Sequence, residues 1–129
     1  MIIKMQTTVL MAGAVFGFLG IVFGAFGAHA LKKILSEEKV TSFEVGVRYQ
    51  MYSAITLLVI GFGLDFDLRI ARLAFFGIFY GTIVFSGSIY LLSFKEYWKA
   101  EGLKFLGPIT PLGGLLLLFG WACIFLSII

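Results

Sequence analysis

Charge is scarce in this chain. Asp, Glu, Lys and Arg make up 13% of its 129 residues, about half the share of an average soluble domain. A single cysteine, Cys123, excludes an internal disulfide and with it a stapled secreted module. It lies in a long apolar run, where a small hydrophobe is the expected role. A single histidine, His29, cannot supply the roughly three protein ligands of a hydrolytic metal centre, and no Cys stands at ligand spacing from it. The long apolar runs contain no acidic residue, so neither paired carboxylates nor a Ser/His/Asp set can be assembled inside them. A phosphate-cradling glycine loop after a strand is missing too. No enzyme, cofactor or metal is expected on these grounds.

What the chain has in abundance is apolar surface. Hydrophobic residues reach 60% and the mean hydropathy is +1.05. Soluble domains run at about 45–50% apolar. Composition therefore excludes a water-soluble globular protein and a disordered tail. It predicts an all-α integral membrane protein, a four-transmembrane-helix bundle forming a single polytopic domain over residues 1–129.

Four apolar runs carry that prediction, from Met5 to Leu31, Tyr49 to Leu64, Leu73 to Phe94 and Phe105 to Ile129. About 20 helical residues cross the ~30 Å hydrocarbon layer. The runs must be helices, because an open strand leaves backbone groups unpaired in lipid and a barrel would show alternation. The expected spans are 7–31, 43–64, 73–94 and 108–129. Thr41-Ser42-Phe43-Glu44 reads as a capping box, with Thr41 as N-cap. A second helix from Ser42 would place Glu44 and Arg48 as an i,i+4 pair at the membrane interface. Gly107-Pro108-Ile109-Thr110-Pro111 contains both prolines of the chain. The fourth helix is therefore expected to begin near Pro111, after irregular backbone. Lys4, an apolar stretch and Ala28-His29-Ala30 imitate a cleavable signal, but the stretch exceeds the about 7–15 residues of a signal core. It reads as a retained first span.

Loop charge sets the expected orientation. Lys32, Lys33, Lys39, Arg48, Lys95, Lys99 and Lys104 flank the first and third loops, against Lys4, Arg69 and Arg72 on the other side. This bias places the first and third loops in the cytoplasm and both termini outside. The basic loops are expected to meet anionic lipid headgroups, and no basic stripe suited to nucleic acid is present.

Small residues mark the expected helix contacts. Gly13, Gly17, Gly20, Gly24 and Gly27 fall at spacings of four and three, a stripe of about 80° on the first helix. Gly77 and Gly81, with Ala74 and Ser88, repeat the pattern on the third. Close approach at such stripes holds helices together in lipid. Tyr97 and Trp98 stand where an interfacial belt belongs.

Polar residues at membrane depth are costly and often functional. Here they gather towards one side. His29 ends the first span; Arg48, Tyr49, Gln50 and Ser53 begin the second; Ser86, Ser88 and Tyr90 end the third; Thr110 begins the fourth. They form a candidate polar pocket in the predicted cytoplasmic half. His29, about 160° from the glycine stripe, is either a proton-responsive group or a helix-terminal His bonding carbonyls.

Several stretches carry a resemblance. G-A-F-G-A-H-A-L-K at 24–32, V-R-Y-Q-M-Y at 47–52, G-S-I-Y-L-L at 87–92 and G-P-I-T-P-L-G-G at 107–114, followed by Gly120-Trp121, resemble a small four-span membrane family. It is the family called domain of unknown function 423, whose animal members are called transmembrane protein 256. Ala30 departs from it where Gly is expected. The resemblance implies a bacterial cytoplasmic-membrane protein of four helices and assigns no activity. Two functions stay open on the residues. One is a small homo-oligomeric transport or permeation unit using the polar pocket. The other is a non-catalytic membrane scaffold or partner-binding subunit in which the polar groups only fasten helices.

Overall fold

The structure is a computed structural model and describes residues 4–129. Four helices follow one another: α1 Met5–His29, α2 Glu37–Gly63, α3 Arg69–Ser93 and α4 Leu106–Ile128. Each is long and apolar enough to cross a membrane. Short 3-10 turns at Leu31–Lys33 and Glu101–Phe105 occupy the first and third connections.

Two helix starts differ from expectation. Ser36 caps α2, its hydroxyl accepting from the Lys39 N–H at 3.3 Å, with Glu37 and Glu38 in the first turn. Two carboxylates beside the positive end of the helix dipole favour this start over Thr41. Thr41 lies inside the helix and donates back to the Glu37 carbonyl at 3.0 Å. Glu44 and Arg48 do not pair; the ion pair among the described residues is Lys104–Glu101 at 3.4 Å, between exposed side chains. The second correction concerns α4, which begins at Leu106 rather than near Pro111. Pro108 lies in the first turn, where its missing N–H costs no intrahelical bond. Pro111 lies inside the helix and withdraws the donor that would meet the Gly107 carbonyl.

The helices run alternately up and down, α1 against α2, α2 against α3 and α3 against α4. The α1 glycines line the α2 contact. Ideal Cβ atoms would lie 3.0 Å from the Ala54 carbonyl at Gly13 and 3.2 Å from the Phe43 ring at Gly27. At Gly20 a Cβ would strike the flexible end of Met51, and at Gly17 and Gly24 it would make ordinary contacts. The α3–α4 seam is tighter, because backbone meets backbone there. A Cβ on Gly77 would lie 2.7 Å from the Gly120 backbone, one on Gly81 2.8 Å from the Leu117 nitrogen, and one on Gly113 would overlap the Phe85 backbone. The main core joins Val9, Leu57, Ile60, Phe75, Ile78 and Leu117. A smaller one at the first loop joins Leu31, Val40 and Phe43. At the opposite end Arg72 holds the α2–α3 connection, donating to the Phe66 and Asp67 carbonyls at 2.9 and 2.8 Å.

Candidate functional site

Gly46, Gln50 and Ser53 follow at i, i+4 and i+7 on α2, and all three are buried. Their face meets α1 and α3. Because α2 begins at Glu37, Gln50 lies at half the helix length, not near its start. Its Nε2 donates to the Phe16 carbonyl at 2.9 Å, and its Oε1 accepts from the Tyr90 hydroxyl at 2.6 Å. This amide orientation alone serves both partners, since a carbonyl cannot donate. Ser86, one turn before Tyr90, donates to the Gly46 carbonyl at 2.7 Å. Gly46 also makes room for the phenol ring: a Cβ there would lie 2.7 Å from the Tyr90 Cε1. One side chain, Gln50, thus ties three helices together.

A separate pair joins α3 to α4. The Ser88 and Thr110 hydroxyl oxygens lie 2.6 Å apart, with the Phe85 and Leu106 carbonyls as further acceptors. Two hydroxyl protons meet three bonds' worth of acceptors, so one proton bridges the pair and the other returns to its own helix. No buried side-chain nitrogen or oxygen among the described residues lacks a partner.

The nine polar residues singled out in the sequence therefore do not line one pocket. Gln50, Ser86 and Tyr90 form a triad in the α1–α2–α3 seam, and Ser88 and Thr110 form a pair in the α3–α4 seam. Tyr49 and Ser53 face a different space, described below. His29 and Arg48 are exposed and belong to none of these groups. The correction has one physical cause. Gln50, Tyr90, Ser86, Ser88 and Thr110 spend bonding capacity on a neighbouring helix, leaving little to present to a solute. Sequence reasoning missed Gly46, whose lack of a side chain admits Tyr90 and whose carbonyl receives Ser86. Its i−4 spacing from Gln50 was the available signal.

A large concavity among the described residues is mainly apolar. α4 leans on α3 and makes little contact with α2, leaving a groove of about 720 Å³ between α2 and α4. Phe85 forms its floor; Tyr49, Tyr52, Ile55, Leu115, Leu118 and Trp121 form its walls. The Tyr49 ring packs on Phe85 with centroids 4.9 Å apart. Towards the α1–α2 loop, Pro111 borders both this groove and a smaller recess of about 430 Å³, which is also bordered by Lys39, Ser42, Lys95 and Thr110. Among the described residues, no cluster of three or more His, Cys, Asp or Glu could hold a metal ion.

Comparison with known proteins bears on all four helices. The UPF0382 membrane protein of Staphylococcus haemolyticus is 35% identical over 118 residues, covering 92% of each chain. That of Haemophilus influenzae is 35% identical over 117 residues, 91% of this chain and 90% of the relative. The UPF0382 inner membrane protein YgdD of Escherichia coli is 32% identical over 116 residues, 88% of this chain and 82% of the relative. No solved structure matches significantly. A family model described as "Protein of unknown function (DUF423)" matches residues 23–114, a stretch that takes in the polar triad, the Ser88–Thr110 pair and the loop end of the groove. With most of its length covered by that model and by relatives at this level of identity, the chain belongs to the DUF423 family of multi-pass membrane proteins.

Proposed function

We propose that the protein is a non-catalytic membrane scaffold, a binding subunit that offers the α2–α4 groove to a hydrophobic occupant within the bilayer. The observation that carries this reading is the spending of the buried polar groups. Gln50, Tyr90, Ser86, Ser88 and Thr110 are bonded to one another or to backbone of a facing helix. A permeation path needs polar groups facing a continuous aqueous space. The space between α2 and α4 is instead lined mainly by aromatic and aliphatic side chains, with Ser53 and Thr56 among them. Ligand sites are typically concave and mostly apolar, at about 300–1,000 Å³, and the groove lies within that range.

The reading places the protein in the bacterial cytoplasmic membrane. Its first and third loops lie in the cytoplasm and its termini outside, following the excess of Lys and Arg on those loops. Reporter fusions at Ile129 check the orientation, with activity expected from an extracytoplasmic reporter.

Function is tested by reconstituting the purified protein into liposomes loaded with pH- or ion-sensitive dye. Leakage equal to that of protein-free vesicles is expected. A flux that disappears in Gln50→Leu would establish a transport unit and overturn the scaffold reading.

A further inference from the structure

The groove and the recess above it adjoin along α2, with Pro111 bordering both, and are taken together as one channel. On α2 its lining runs Lys39, Ser42, Tyr49, Ser53 and Thr56, all on one helical face. On α3 Ile89 and Phe85 continue the floor, with Lys95 in the turn just after it, and on α4 Thr110 and Pro111 lead to Leu118 and Trp121. From Lys39 to Thr56 the channel extends about 25 Å at helical rise, close to the depth of a bilayer's hydrocarbon core. Its two ends differ in chemistry. The long part is apolar. The short end holds two half-buried lysines and no carboxylate on its lining. Neither lysine is ion-paired among the described residues. Gly107, in the first turn of α4, borders the same recess.

From this juxtaposition we infer that the channel is a binding site for one anionic glycerophospholipid. The phosphate sits between Lys39 and Lys95, and an acyl chain lies along Phe85 between Tyr52, Ile55, Leu115 and Leu118. The inference rests on the scaffold reading above and names its occupant. A transmembrane helix or a second copy laid in the groove would bury apolar surface but leave the two ammonium groups without an anion. A zwitterionic lipid would fill the groove but bring a choline or amine to the same two cations. An anionic lipid satisfies both ends, and basic residues at the membrane surface attract such headgroups.

The experiment uses the full chain, delipidated in maltoside detergent and titrated with palmitoyl-oleoyl phosphatidylglycerol or with the matching phosphatidylcholine. Bound lipid is read by native mass spectrometry. Phosphatidylglycerol is expected to be retained at roughly ten-fold lower concentration than phosphatidylcholine. Lys39→Gln with Lys95→Gln should bring the two lipids to parity. Gly114→Leu should lower retention of both several-fold, because a Cβ at Gly114 meets only the Phe85 ring edge at 3.9 Å and a larger side chain enters the groove. Ile55→Trp, at an exposed lining position, should do the same. Inorganic phosphate should displace nothing. Parity in the unmodified chain, with both lipids lost on groove filling, overturns the anionic assignment and leaves the scaffold reading intact. Retention untouched by both groove-filling variants overturns the groove as a site. Displacement by inorganic phosphate, or disulfide-linked dimers of Leu118→Cys in native membranes, assigns the recess to a free anion or the groove to a second copy and overturns the lipid.

Discussion

Gln50 shows how one polar residue is made tolerable in a bilayer. Isolated in hydrocarbon, an amide costs several kcal/mol of order; here both of its ends are bonded, to Phe16 and to Tyr90. Removing either partner leaves the other wanting. Gln50→Leu strands the Tyr90 hydroxyl, and Tyr90→Phe strands the Gln50 carbonyl oxygen. Each single substitution should therefore destabilise the bundle, and the pair together should cost less than the sum. Interhelical hydrogen bonds in membranes average about 0.6 kcal/mol and reach about 1.7 kcal/mol in double-mutant cycles. Unfolding of the four proteins in mixed micelles should give a coupling inside that range. A coupling of zero would show that the 2.6 Å contact contributes nothing to the fold. That such polar residues matter was legible in the sequence, since polar groups stand out in apolar runs. Which of them meet was not. His29 and Arg48 look equally polar in one dimension, yet they lie on exposed faces.

At the scale of the element, helix seams sort by what a glycine faces. The sequence pattern finds four apolar helices, because length and hydropathy are local properties, while α2 begins six residues and α3 four residues before the expected starts. It also finds the α1 stripe and Gly77 with Gly81. The pairing of α3 with Gly113 and Gly120 of α4 is a property of two helices together, and no single-helix pattern contains it. The spacing Gly113, Leu117, Gly120 was nonetheless a seam-like face in plain view. The two helix starts were missed for opposite reasons. A capping box at Thr41 loses to a Ser36 cap backed by two carboxylates, and α4 starts five residues before Pro111, with Pro108 in a first turn that needs no donor there and Pro111 costing one intrahelical bond. Gly77→Ala and Gly120→Ala each force a methyl against backbone that cannot move alone, at 2.7 and 2.8 Å. Overpacking of this kind costs about 1–3 kcal/mol. Gly17→Ala meets the Ala54 methyl at 3.7 Å, an ordinary contact, and should leave stability within about 0.5 kcal/mol. Thermal melts in detergent separate the two classes. Equal melting temperatures for Gly77→Ala and Gly17→Ala would count against the tight α3–α4 seam.

Across the whole molecule the bundle is two helical hairpins fastened side by side. α1 with α2 and α3 with α4 each have an extensive seam of small residues, whereas the hairpins meet mainly along α2 and α3. That central seam differs in kind. It carries the Gln50–Tyr90 and Ser86–Gly46 bonds, and Tyr90 inserts beside Gly46. The same architecture leaves α4 away from α2 and so creates the groove. A chain divided within the Leu64–Leu68 connection should thus yield two fragments that each insert as a hairpin and then reassociate. Arg72 argues for a cut on the α2 side of Asp65, since its guanidinium holds the Phe66 and Asp67 carbonyls and belongs to the second hairpin. Co-expressed halves should purify together through a tag on either one. Ser86→Ala with Tyr90→Phe in the second half should weaken that recovery several-fold, because it removes both of these side-chain bonds across the seam. Gly77→Ala, inside the second hairpin, should instead lower that fragment's own stability. If recovery is untouched by the Ser86 and Tyr90 changes, then the hairpins adhere by apolar packing alone. The polar triad would in that case need a role other than fastening helices.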